Sequence, residues 1–259
     1  MAIHPTAIID PKAELDASVE IGPYVVVGPD VRLGAEVVLH AHSIVTGHTE
    51  LGAGTQVFSF ACIGDIPQDK KYTGEKTRLV IGARNTIREY VTIHPGTSEG
   101  GGTTTIGDDN LMMIGMHIGH DCQLGSHTVI SNHVQLAGHV IVEDYATLSA
   151  NAAVLQFCRV GESSFLSGMA GLTQDLSPFT WGHGYPARVR RVNRLNLERR
   201  GLSGEQIEAV ARAFRLIFRS GKRPEEAFAE VRETLPQSAE AERMVAFLEK
   251  SERGFARLR

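Results

Sequence analysis

Cysteine is scarce. Cys62, Cys122 and Cys158 are far apart and odd in number, which argues against a disulfide framework and a Cys-x-x-Cys zinc clamp and suits a reducing cytoplasm. The start, "MAIHPTAIID", lacks a basic stretch followed by an apolar one. No apolar run approaches the roughly 20 residues that span a bilayer. The expectation is a cytoplasmic chain with no signal and no integral membrane segment. Net charge is also small, −4 over 259 residues, but it is unevenly placed. Residues 1–187 carry 9 Lys and Arg against 19 Asp and Glu, a balance of −10, whereas residues 188–259 carry 17 against 11, a balance of +6. A basic tail on an acidic body suits a phosphate-bearing ligand, an acidic protein or nucleic acid, or else a solvated helical face.

What the chain does have is a repeat of six. Stepping by six from Ile3 gives Ile9, Leu15, Ile21 and so on to Ile63, then Ile81, Ile87 and Ile93, then, in a shifted phase, Ile106 through Leu172. All 26 sites are Ile, Val, Leu or Met. A period of six fits neither an amphipathic helix nor a half-buried strand. It fits one inward aliphatic per short strand with a bend after each, three units closing a coil of about 18 residues that stacks on the next at roughly 4.8 Å. Glycine follows the aliphatic at ten sites, Gly22 to Gly161, and is expected to supply permissive backbone angles at the bends. This is a hexapeptide-repeat parallel β-helix, expected over residues 1–186. Its core is narrow, so packing between copies is expected.

Two stretches interrupt the repeat, residues 64–79 and 94–105, and read as loops thrown out from the prism. After about Val189 the spacing turns helical. A capping box from Ser203 to Gln206 opens one helix, which stops at Gly221; Pro224 starts a second and Ser238 a third. A small α-helical domain is therefore expected over 187–259.

Five of the eleven histidines fall within residues 113–140. With 18 residues per coil, His120, Gly138 and Gln156 should form one column, and Asp121 and His139 the next. A histidine beside a carboxylate suits proton removal from a hydroxyl. The uncovered Gly138 amide suits an oxyanion. His117 is expected to line the cleft, and His127 and His133 to be structural. Two other readings stand beside acyl transfer. One is a zinc site of His117, His120 and His139, and the other is a non-catalytic scaffold that binds partners.

The stretches "HIGHDC", "LAGHV", "QFCRVG", "IFRSGK", "QDKKYTGE", "RNTIREYVTIH" and "NLERRG" resemble the family of UDP-N-acetylglucosamine acyltransferases that opens lipid A synthesis. The resemblance runs from near the N-terminus into the helical tail. It implies a left-handed β-helix and a homotrimer that moves an (R)-3-hydroxyacyl chain from acyl carrier protein to the 3-hydroxyl of UDP-N-acetylglucosamine. It implies no metal, no cofactor and no nucleic acid. By that likeness His120 is the general base, Asp121 orients it, the Gly138 amide holds the oxyanion, and His139 and Gln156 bind substrate. Asp69, Lys71 and His94 would contact the sugar or acyl group, and Asn193 and Arg199 the nucleotide or its diphosphate, while Gly168 would set acyl length. Departures at Leu155, Gly115, Met116, Tyr185, Pro186 and Leu195 touch the acceptor side and leave a 3-amino analogue of the sugar open.

Overall fold

The computed structural model describes residues 2–258; Met1 and Arg259, the outer bounds of the two expected domains, lie outside the described residues. Strands of mostly two residues recur every six and stack into three sheets of 11, 9 and 8 strands, parallel except for the last strand of the first, which form faces A, B and C of a left-handed prism. The regular step between paired strands is 18 residues, as from Val38 to Gln56. At the first interruption Gln56 pairs with Thr86, a step of 30 and hence an insertion of 12. At the second, Thr86 pairs with Leu111, a step of 25 and an insertion of 7. Twelve is a multiple of six and seven is not, so only the second insertion shifts the phase of the aliphatic repeat. Strands Arg78–Ile81 and Thr103–Ile106 claim the last residues of both expected loops.

The period-six aliphatics are buried from Ile21 onward, while Ile3 is exposed and Ile9 and Leu15 half-buried at the open end of the prism. A second inward position lies two residues before each site from Ile21 onward. Val19, Val25, Val91, Met116, Cys122, Val134 and Cys158 occupy it, so the core is fuller than one side chain per hexad. Part of this second column is polar and internally bonded. The Asn85 side chain donates to the Gly82 and Gly107 carbonyls, Asn110 N–H donates to Asn85 Oδ1, and the Thr128 hydroxyl donates to Asn110 Oδ1.

The expected role of glycine is corrected. Of the ten glycines that follow the aliphatic, only Gly64 has positive φ. The left-handed bends fall on side-chain-bearing residues such as Tyr24, Asp121, His139 and Phe157. Glycine is required instead by closeness between coils. A Cβ at Gly119 would lie 2.8 Å from Gly138 N and 3.0 Å from Leu136 O. The strained bends are packed by ring stacking, as in Tyr24–His42–Phe60–Tyr90 and His139–Phe157.

The prism does not pass straight into helix after Val189. Thr180–His183 joins face A and pairs antiparallel with Arg188–Val192, the turn holding a cis Tyr185–Pro186 bond. This hairpin straddles residues 186 and 187. Helices α1 (Arg194–Arg199), α2 (Gly204–Arg219), α3 (Pro224–Thr234) and α4 (Ala239–Glu249) follow. The Ser203–Gln206 capping box forms, Pro224 opens α3 and the Ser238 side chain caps α4. The helices bury Val210, Phe214, Val231, Met244 and Phe247 among their neighbours. The chain then returns to the prism, where Asp175 N–H donates to Gly254 O and Ala256 N–H to Asp175 O.

Candidate active site

Face B turns into face C at a corner whose two bend positions run 120/121, 138/139 and 156/157 in successive coils. His139 N–H donates to His120 O at 2.9 Å, locking the two coils in register. His120 therefore lies directly over Gly138, whose missing Cβ would sit 2.6 Å from His120 Cε1 and 2.7 Å from Nε2. Only glycine leaves space for this imidazole. The Gly138 N–H donates no hydrogen bond among the described residues.

Asp121 is buried, its side chain wholly so, and its Oδ2 lies 2.7 Å from His120 Nδ1. A carboxylate only accepts, so Nδ1 is the donor in this bond and, in the neutral imidazole, the lone pair lies on Nε2. Asp121 also accepts from the Thr97 N–H at 2.8 Å and the Thr97 hydroxyl at 2.7 Å. His139 Nε2 is 3.8 Å from the same Oδ2, its ring edge-on to His120 at 5.0 Å between centroids and stacked on Phe157 at 4.5 Å. Burial keeps His139 below the ordinary histidine range despite Asp121.

His94 and His117 continue the line of imidazoles, edge to face at 5.3 Å. His94 is buried, with Nδ1 2.9 Å from Asp65 O and Nε2 without a partner. His117 Nδ1 is 2.8 Å from Thr92 Oγ1. Burial, helped by His94 and His120, pushes the His117 pKa down to about 4. Three groups able to hold a metal converge here, but they are His120, Asp121 and His139, within 4.8 Å of one another, rather than the histidine trio of the sequence reading. Both Asp121 oxygens are already bonded to Thr97 and His120, an arrangement suited to orienting an imidazole.

The first inserted loop supplies Asp69, which acts electrostatically on His139, and Lys71, whose ammonium is 2.6 Å from Glu99 of the second loop. Gln156 is half-buried one coil beyond Gly138. Beside the histidines an apolar groove of about 370 Å³ runs along face B from His117 past Ala137, Ala153 and Leu155 to Gly171 and Tyr185. The Tyr185 ring covers Gly171, where a Cβ would meet it at 1.9 Å. Gly168 sits outside this groove at the corner between faces A and B, beside exposed Met169.

Two expected site residues lie elsewhere. Asn193 is buried at the corner between faces C and A, its side-chain amide donating to Ser163 O. Arg199 is exposed in the last turn of α1, and Leu195 is exposed on the same helix. One chain does not bring these residues to His120. The sequence reading missed Thr97 and named Tyr185 only as a departure on the acceptor side, not as the ring that covers Gly171. The glycines around Thr97 were the available signal, since glycine in a polar insertion marks close backbone approach.

Prism and corner together define an acyltransferase of the left-handed β-helix class. A family model described as Udp N-acetylglucosamine O-acyltransferase, domain 2, matches residues 175–256. An acyl-(acyl-carrier-protein):UDP-N-acetylglucosamine O-acyltransferase of Anaeromyxobacter sp. (strain Fw109-5) is 50% identical over 257 residues, covering 99% of this chain and all of its own. The solved UDP-N-acetylglucosamine acyltransferase of Francisella novicida superposes with a TM-score of 0.96 at 35% identity, over 98% of this chain and 94% of its own. That of Moraxella catarrhalis RH4 gives 0.96 at 38%, over 99% and 100%. The chain belongs to the acyl-(acyl-carrier-protein):UDP-N-acetylglucosamine O-acyltransferase family.

Proposed function

We propose that the protein transfers an (R)-3-hydroxyacyl group from acyl carrier protein to the 3-hydroxyl of UDP-N-acetylglucosamine, the first step of lipid A synthesis, in the cytoplasm. The observation that carries the mechanism is the 2.7 Å contact between Asp121 and His120 Nδ1, which puts the lone pair of the neutral imidazole on Nε2, against Gly138. His120 Nε2 takes the proton of the sugar 3-hydroxyl as that oxygen attacks the thioester carbonyl carbon. The Gly138 N–H donates to the oxyanion that forms. Collapse re-forms the carbonyl and breaks the carbon–sulfur bond, and the departing thiolate takes the proton from the His120 imidazolium. Asp121 stabilises that imidazolium throughout.

The groove along face B suits a hydrocarbon chain, being lined by Ala137, Ala153 and Leu155 and closed by Tyr185. His117 lines the groove, and with Asp69, Lys71, His94, His139 and Gln156 it binds the polar parts of both substrates, while Gly168 stands at the next corner. Asn193 and Arg199 bind the nucleotide from an adjacent copy, which their separation from His120 within one chain supports. The assembly is then a homotrimer with each site shared between two subunits. The 1–186 and 187–259 division assigns chemistry to the prism and nucleotide contacts to the helical part.

His120→Ala tests the reading. Acyl transfer falls by about 10²–10⁴ while the circular dichroism spectrum and oligomer stay as in the parent; near-parental turnover would refute it. Product masses with UDP-N-acetylglucosamine and with its 3-amino analogue decide the acceptor.

A further inference from the structure

The second insertion packs against Asp121 through Gly96, Thr97 and Gly100, none of which lines the groove. We propose that Thr97 is a positioning residue for the reaction: its N–H and hydroxyl hold the Asp121 carboxylate so that Oδ2 faces His120 Nδ1. This rests on the general-base reading above and extends it to a residue of the second insertion that had no assigned task.

Thr97 is 4% exposed, and it grips both oxygens of the carboxylate, the N–H on Oδ1 at 2.8 Å and the hydroxyl on Oδ2 at 2.7 Å. The hydroxyl must donate, because the carboxylate has no proton to give. The loop backbone is pressed against the same group. A Cβ at Gly100 would lie 2.0 Å from Asp121 Cγ, and one at Gly96 2.8 Å from Oδ1. The turn that presents Thr97 is itself fixed, with Gly100 and Gly102 N–H both donating to Thr97 O at 3.0 and 2.8 Å. From the prism, Asp121 N–H donates to Thr104 Oγ1 at 2.8 Å. A seven-residue insertion thus builds a glycine cradle from which the buried Thr97 hydroxyl reaches the carboxylate that orients the base.

The arrangement also sets how strongly Asp121 attracts the imidazolium. Its ion-pair partners among the described residues are His120 and His139. The other titratable groups that face the pair are His117, Asp69 beside His139, and the Cys122 thiol, which burial pushes up to about 12. A hydroxyl bonded to Oδ2 draws charge away from His120; without it the carboxylate favours the imidazolium more, and the base becomes available only at higher pH.

The experiment is a pH–rate profile of Thr97→Val, which keeps the branched shape and the backbone N–H but removes the hydroxyl donor. The expected result is a fall in kcat of about tenfold, a KM for UDP-N-acetylglucosamine within about twofold, and an acid limb moved up by about half a pH unit. Thr97→Ser restores the parental profile. If Thr97→Val melts below the assay temperature, Thr97→Cys, a much weaker donor, takes its place under the same criteria. An acid limb and kcat that stay parental in the folded variant, or a Ser variant as impaired as the Val one, overturns the proposal. With His120→Ala inactive in parallel, that outcome removes only the role of Thr97; an active His120→Ala removes the base reading itself.

Discussion

Replacing Gly138 with Ala adds one methyl group where the prism and the proposed base come closest. The φ of Gly138 is not in the left-handed region, so alanine meets no backbone strain. The new Cβ would sit 2.6 Å from His120 Cε1 and 2.7 Å from Nε2, whereas ordinary contact begins near 3.4 Å. The imidazole therefore has to retreat by about 0.8 Å, pulling on its 2.7 Å bond to Asp121. A misplacement of about 1 Å costs on the order of 10² in rate. We expect kcat for Gly138→Ala to fall about 100-fold, near 2.7 kcal/mol of barrier, with the 138 N–H still in place and the melting temperature within a few degrees of the parent. The assay is the initial rate of transfer from a 3-hydroxyacyl carrier protein to UDP-N-acetylglucosamine, with product mass as the readout and a thermal melt alongside. Gly119→Ala is the contrast, since its Cβ meets backbone at 2.8–3.0 Å and should lower stability. A folded Gly138→Ala enzyme with kcat within threefold of the parent would refute the stacking of His120 on Gly138 as the source of activity.

Two further outcomes follow from the groove and the buried histidines. His117, held down at about pKa 4, refuses a proton that the unfolded chain accepts below about 6.5. Its contribution to stability is present above that pH and is lost as pH falls from about 6.5 toward 4. Melting temperature against pH should therefore be flatter in this window for His117→Gln, and parallel curves would contradict the assignment. Tyr185→Ala should open the far end of the groove by about one strand spacing, roughly 4.8 Å, and shift the preferred acyl chain about two to four carbons longer. An unchanged product profile across a panel of acyl carrier proteins would show that Tyr185 is not the stop.

Much of the fold was legible because a β-helix repeats its geometry. Ile21, Val27 and Leu33 face inward at fixed intervals, and the 18-residue coil places His120 over Gly138 from counting alone. The reasons for individual residues were less legible. Gly119 looked like a bend residue and is in fact a spacer between coils, because the sequence shows which residue follows an aliphatic but not how near the next coil comes. Cys122 and Cys158 carry no pattern of their own and are simply members of the second inward column. The hairpin through Tyr185 was hidden by its length, a few residues between two strong periodicities. Thr97 was hidden because it lies 24 residues from the carboxylate it holds, and no repeat links an insertion to the coil it folds against. For the same reason Asn193 and Arg199 give no sign in the sequence that the first sits at a different corner from His120 and the second on α1.

Both excursions leave face B and re-enter at face C, and the ladder resumes in register after 12 extra residues and after 7. Their length is consequently invisible to the rest of the scaffold. Segments of other sizes and compositions could be spliced in at residues 64–77 or 94–102 without re-registering a rung, so recognition and architecture can be altered independently in this molecule. The 94–102 segment is the stricter of the two, since any replacement would still have to deliver a hydroxyl and two glycines to Asp121.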